Sequence, residues 1–173
     1  MLGSAGCRVR VARTVTMAVD TGDVTKADDF TTIDGLLFAM YDTISGPAGV
    51  EPDWDRERSL FAPGGRLIPT RAGPDGDLRA QLLTVDEYIE TRAPYLRENA
   101  FYEREVLRRV EQFGHVAQVF SIYESAETPD GPAFVRGVNL IQLIFTSGRW
   151  WIQSILWEND VEGAKLPDSF PAA

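Results

Sequence analysis

Apolar residues recur at Phe30, Ile33, Leu37, Met40 and Ile44, spacings of three and four that place them on one stripe of a helix. Asp28 or Asp29 is expected to cap its start, and Gly46-Pro47 to stop it. A shorter helix is predicted from Asp53, as cap, through Trp54 and Leu60 to Phe61, where Ala62-Pro63-Gly64-Gly65 breaks the pattern. Residues 66–70 and 78–83 look like short strands around the turn Gly73-Pro74-Asp75-Gly76. Thr84 and Glu87 have capping-box spacing, which opens a third helix, expected to kink or stop near Pro94.

From residue 101 the period falls to two. Strands are predicted at 101–113, 116–127, 133–146 and 149–159, separated by Gly114, by Pro129-Asp130-Gly131-Pro132 and by Ser147-Gly148. Helix, helix, hairpin, helix and four long antiparallel strands make an α+β domain over residues 28–160. Residues 1–27 are expected to be a disordered leader, or an extension upstream of a start at Met17, and residues 161–173 a loose tail.

Composition narrows the function. The 173 residues fit one core, with 44% hydrophobic and 25% charged positions. A formal charge of -9 repels phosphate backbones, which argues against nucleic acid as a partner. No apolar run is long enough to span a bilayer, so no membrane partner is expected and the expected setting is the cytoplasm. A single cysteine, Cys7, and a single histidine, His115, leave no cluster for zinc or copper, and neither metal nor cofactor is expected.

The run Gly114-His115-Val116-Ala117-Gln118-Val119-Phe120-Ser121-Ile122-Tyr123-Glu124, the Gly148-Arg149-Trp150 hairpin and the Leu60-Phe61-Ala62-Pro63 junction occur in the order seen in one family. The chain resembles the nuclear transport factor 2-like superfamily, which includes ketosteroid isomerase, scytalone dehydratase and the SnoaL-like cyclases. That resemblance implies a cone, in which a curved mixed or antiparallel sheet wraps a long first helix and encloses a pocket, often in a homodimer. Steroid-isomerase-like members keep a catalytic Asp near the end of the first strand, where this chain has Arg66-Leu67-Ile68-Pro69-Thr70 and no carboxylate. Scytalone-dehydratase-like chemistry uses two pocket histidines, against one histidine here. Tyr41 matches a first-helix tyrosine that donates to a ligand oxyanion in the isomerase relatives; a core tyrosine is the other reading.

If Ser147-Gly148 is a two-residue loop, Thr146 opposes Arg149 and regular alternation sorts both strands into faces. Asn139, Ile141, Leu143 and Phe145 then share one with Trp150, Ile152, Ser154, Leu156 and Glu158. This face is expected to form the pocket wall, with Tyr41, Asn139, Trp150 and Ser154 lining it and Glu158 as the catalytic candidate, its pKa raised by apolar neighbours. Arg136, Gln142, Trp151, Gln153 and Trp157 fall on the other face and are assigned to a homodimer contact, because that face too is apolar. Glu103 and Glu105 either divide acid and base roles or form a solvated, ion-paired strip, the reading the pattern favours.

The expected function is binding of a small hydrophobic molecule in the cone pocket, with cofactor-free proton transfer, dehydration or cyclisation as the chemistry such a pocket could support. The alternative is a non-catalytic dimeric interaction module whose pocket is filled by its own side chains.

Overall fold

The computed structural model describes residues 13–17, 29–160 and 166–167, the first of these as backbone alone. The elements are β1 (Arg13–Met17), α1 (Ile33–Thr43), α2 (Trp54–Leu60), β2 (Phe61–Ala72), β3 (Leu78–Ala80), α3 (Val85–Glu98), β4 (Tyr102–Phe113), β5 (Val116–Ala126), β6 (Val135–Thr146) and β7 (Arg149–Asn159). They build one curved α+β cone around a sheet in the order β1-β4-β5-β6-β7-β2-β3. All neighbours are antiparallel except β2 and β7, which run parallel.

The helix starts follow local chemistry. The Thr32 hydroxyl accepts from the Gly35 amide at 2.9 Å and caps α1. Asp29 does not cap it, because both its oxygens are taken by Arg56 at 2.6 and 2.9 Å; Asp28 lies outside the described residues. Asp53 caps α2, and Thr84 and Glu87 satisfy each other's amides at 3.2 and 2.8 Å. α3 continues through Pro94 to Glu98 and does not stop at the proline.

β1 corrects the expectation that helices come first, since Arg13–Met17 pairs with β4 inside the segment read as a disordered leader. The rest of that leader, and of the tail over 161–173 except residues 166–167, lies outside the described residues. β2 is also longer than expected: it absorbs Pro63-Gly64-Gly65 by a register shift against β7 between Phe61 and Arg66.

The core lies between α1 and the concave sheet face. Leu36, Leu37, Ile141 and Ile152 are fully buried, and burial of each such side chain contributes about 1.5–3 kcal/mol. Trp150 belongs to this packed core and meets Phe145 edge-on at 5.3 Å. The Arg149 guanidinium lies between the rings of Phe30, at 3.5 Å, and Trp151, at 3.7 Å, and ties the entry to α1 onto the last hairpin. That hairpin has Ser147 at φ 53° and Gly148 at φ 80°, a type I′ loop that sets Thr146 opposite Arg149 as expected. Among the described residues no helix is long and apolar enough to cross a membrane.

Gly137 on β6 is where the Tyr123 side chain crosses the sheet. A Cβ there would collide with the Tyr123 hydroxyl and sit 2.6 Å from the Glu158 carbonyl. Gly137→Ala should therefore destabilise the fold by about 1–3 kcal/mol, read from urea denaturation. A midpoint equal to that of the unsubstituted chain would contradict the packing.

Candidate functional site

Side chains on a strand alternate between faces, so one extra residue exchanges inside for outside from there on. β7 carries such a residue. Gln142 pairs with Ser154 but Leu143 pairs with Ile152, leaving Gln153 as a bulge. Before the bulge Trp150 and Ile152 face the core, as expected; beyond it Ile155 and Trp157 face inward with Asn139, and Leu156 and Glu158 face outward.

This corrects several expected positions. Glu158 stands opposite Val138 on the outer face and does not line the cavity. Ser154, also outside, donates to Gln142 at 3.1 Å. Trp157, expected in a dimer contact, lines the cavity instead, opposite Asn139. The space under Trp150 is packed core, so the void lies at the Trp157 end of the cone. Gln153 is exposed, Arg136 pairs with Glu124 at 3.1 Å, and Trp151 donates to the Thr146 carbonyl at 3.3 Å.

A second bulge does the same to β4. Glu105 pairs with Tyr123 and Leu107 with Ile122, so Val106 is the extra residue. Glu103 and Glu105 thereby turn away from Gln118 and Glu124 and join Ser121, Tyr123 and Ser125 on the concave face. They are an interior pair, not the solvated strip that alternation favoured.

The two glutamates belong to different layers. In the upper one, Asn139 donates to the Tyr41 hydroxyl at 3.0 Å, Tyr41 meets Ser121 at 2.7 Å, and Ser121 donates to Glu105. Arg108 then pairs with Glu105 at 3.2 Å and with Asp34 on α1 at 2.7 Å. Tyr41 thus spends its hydroxyl inside the core, where burial holds its pKa well above the usual value, and it does not line the cavity. Burial likewise raises Glu105, opposed by Arg108.

The lower layer is a cavity of about 430 Å³. α1 contributes Met40, α2 Glu57, α3 Tyr88 and Arg92, β4 Glu103, β5 Tyr123 and Ser125, β6 Asn139, and β7 Ile155 and Trp157. Tyr88 and Trp157 meet edge-on at 6.1 Å, and Phe134, 48% exposed, stands on the same lining. Glu57 is 2% exposed and accepts from the Thr43 hydroxyl at 2.6 Å; Glu103 accepts from Ser125 at 2.9 Å. The residual accessibility of Glu103 opens into this cavity.

Burial pushes both carboxyls up to about 7. At Glu57 the Thr43 bond opposes the shift and the Glu103 charge adds to it; at Glu103 the Ser125 bond and Arg92 oppose it. Two carboxyls that exchange protons near neutrality can act as acid and base. Among the described residues no group of three or more His, Cys, Asp or Glu side chains could hold a metal ion.

Glu57 went unread in the sequence, although it falls three residues from both Trp54 and Leu60, on the apolar stripe of α2. Ser121 and Ser125, alternating with Tyr123 beyond Ala117 and Val119, were the corresponding signal for Glu103 and Glu105: inward polar groups that need partners.

Neither a protein-family model nor a curated protein matches the chain. Solved structures share its fold. An NTF-2 like protein of unknown function from Silicibacter pomeroyi DSS-3 aligns at TM-score 0.51 and 14% identity, covering 79% of this chain and 99% of that one. The yeast UBP3-associated protein BRE5 aligns at TM-score 0.50 and 12% identity, covering 75% of this chain and 97% of that one.

The raised carboxyls fix the sign of the pH dependence. Between the ordinary value of 4.5 and about 7, the folded chain keeps protons that the unfolded chain has lost. Their contribution to stability is full below the unfolded value and falls as the pH rises through the folded one. Glu57→Gln should remove about 2–3 kcal/mol of that fall, measured by urea denaturation at several pH values. An unchanged slope would mean that Glu57 titrates normally.

Proposed function

With the nuclear transport factor 2-like fold as the frame, we propose that this protein binds a small, largely apolar molecule in the cone cavity and moves a proton on it with Glu57 and Glu103. The observation that carries the reading is the pair of buried carboxyls lining one cavity, each held by a single hydroxyl. Near neutral pH one member can hold a proton while the other accepts one, the condition that proton transfer, dehydration and ring closure share. Arg92 beside Glu103 biases that residue toward the base role, and Glu57, the more enclosed, toward the acid. Glu158, outside the cavity, has no part in this mechanism.

Occupancy is tested with prodan, a neutral, polarity-sensitive naphthyl ketone. Its emission should shift to the blue with energy transfer from Trp157, and Val135→Trp, which fills part of the lining, should weaken binding about tenfold or more. Binding unaffected by that substitution would put the probe elsewhere.

The outer sheet face supports a homodimer. Val138, Leu140, Leu156, Ile68 and Phe120 are only half-buried there, beside Gln142 and Ser154, and Arg136, Trp151 and Gln153 border them. A half-exposed aliphatic field with a polar margin suits a contact between identical subunits. Light scattering should give a dimer mass for the unsubstituted chain and a monomer mass for Leu140→Glu, with prodan binding retained. A monomer mass before substitution would remove the dimer from the reading.

A further inference from the structure

Three oxygens on the cavity lining have no hydrogen-bond partner among the described residues: Oε1 of Glu57, Oε1 of Glu103 and Oδ1 of Asn139. The first two remain because Thr43 and Ser125 each occupy only Oε2. The third follows from counting protons. Ser121 gives its one hydroxyl proton to Glu105, so Tyr41 is the donor between Tyr41 and Ser121. Having given its own proton, Tyr41 accepts from Nδ2 of Asn139, which leaves the amide oxygen unspent. Glu57 is 2% and Asn139 6% exposed, and none of the three oxygens is sealed in the core, so the surface they keep is surface of the cavity.

Charge points the same way. Arg56, the cation felt at Glu57, is held by Asp29 and Asp42. Arg92 is the guanidinium acting on Glu103, and it lies 4.8 Å over the Tyr95 ring. Arg71, the other cation on the lining, is exposed to solvent at its edge, so among the enclosed groups the ionised Glu57 and Glu103 with Arg92 carry one negative charge in excess. Tyr88 and Tyr123, on the same lining, are held neutral by burial.

We propose that the ligand of this cavity is an organic amine bound as its ammonium ion, its three N–H donors meeting Glu57, Glu103 and Asn139 and its apolar body lying along the corner formed by Tyr88 and Trp157. The inference rests on the reading that the cavity binds a small molecule, and adds the charge of that molecule. A carbonyl ligand brings only acceptors, which match these three oxygens only where a carboxyl stays protonated. An ammonium ion supplies the missing donors and the missing charge together, and charge-assisted bonds are the stronger kind. Because burial is the main cause that holds both carboxyls near neutrality, an arriving cation should also displace protons from them.

The test compares three near-isosteric probes by titration calorimetry: phenethylamine, phenethyl alcohol and phenylacetone. At about pH 8 the amine should bind about tenfold or more tighter than either neutral probe. Glu103→Gln should shrink that advantage to about threefold or less. A second measurement covers a variant that does not fold: on the unsubstituted protein at about pH 6.5, in two buffers of different ionisation enthalpy, amine binding should release protons and alcohol binding none. A neutral probe binding as tightly as the amine overturns the inference and leaves the cavity reading intact. Amine binding without proton release overturns it too, as does failure of all three probes while prodan still binds. Failure of prodan as well would remove the cavity reading itself.

Discussion

The cone depends on two residues that have no opposite number in the ladder. Gln153 on β7 and Val106 on β4 each insert one position into an antiparallel pair, and alternation carries the consequence to the end of the strand. Without the first, Trp157 would face away from the helices and Glu158 toward them. Without the second, Glu103 and Glu105 would leave the interior. Both bulges lie where the packed end of the cone gives way to its hollow end, so the same devices that bend the sheet also choose which side chains see the cavity.

Polar groups in the interior are treated in two ways. Around Tyr41 the hydroxyls of Tyr41 and Ser121 and the Asn139 amide are joined in one network, and the chain from Asn139 through Ser121 and Glu105 to Arg108 and Asp34 fastens α1 to the sheet, with Nε of Arg108 the one buried donor there without a partner among the described residues. Two residues further along α1, Thr43 gives Glu57 a single hydroxyl, and Ser125 gives Glu103 another. Buried carboxyls are ordinarily supplied more fully than this, and departures from that rule gather where proteins bind or react. Asn139 belongs to both layers, with its amide nitrogen bonded to Tyr41 and its oxygen at the cavity.

Much of the fold was legible in the chain. Two-residue alternation and the Ser147-Gly148 pair located β6, β7 and their register at the loop, while Asp53 and Thr84 marked two helix starts by chemistry that needs no tertiary context. Asp29 was misread because a carboxylate before a helix is equally a partner for an arginine, and Arg56 lies 27 positions away. The site was less legible for a related reason. A bulge leaves no mark in a string of residues that are all good strand formers, and Val106 or Gln153 could be an ordinary member of either face. Glu57 carried a sign on its own element, a charge within an apolar stripe, whereas the sign for Glu103 and Glu105 lay in the serines of the neighbouring strand.

The thinly supplied carboxyls make the empty cone less stable than its packing would permit. Any molecule that provides their missing donors binds the folded chain and not the unfolded one, and so draws the equilibrium toward the fold. In a cell, where transiently unfolded chains are removed by proteolysis, the amount of this protein would then track the supply of that molecule through differential survival, with no regulator of its synthesis required.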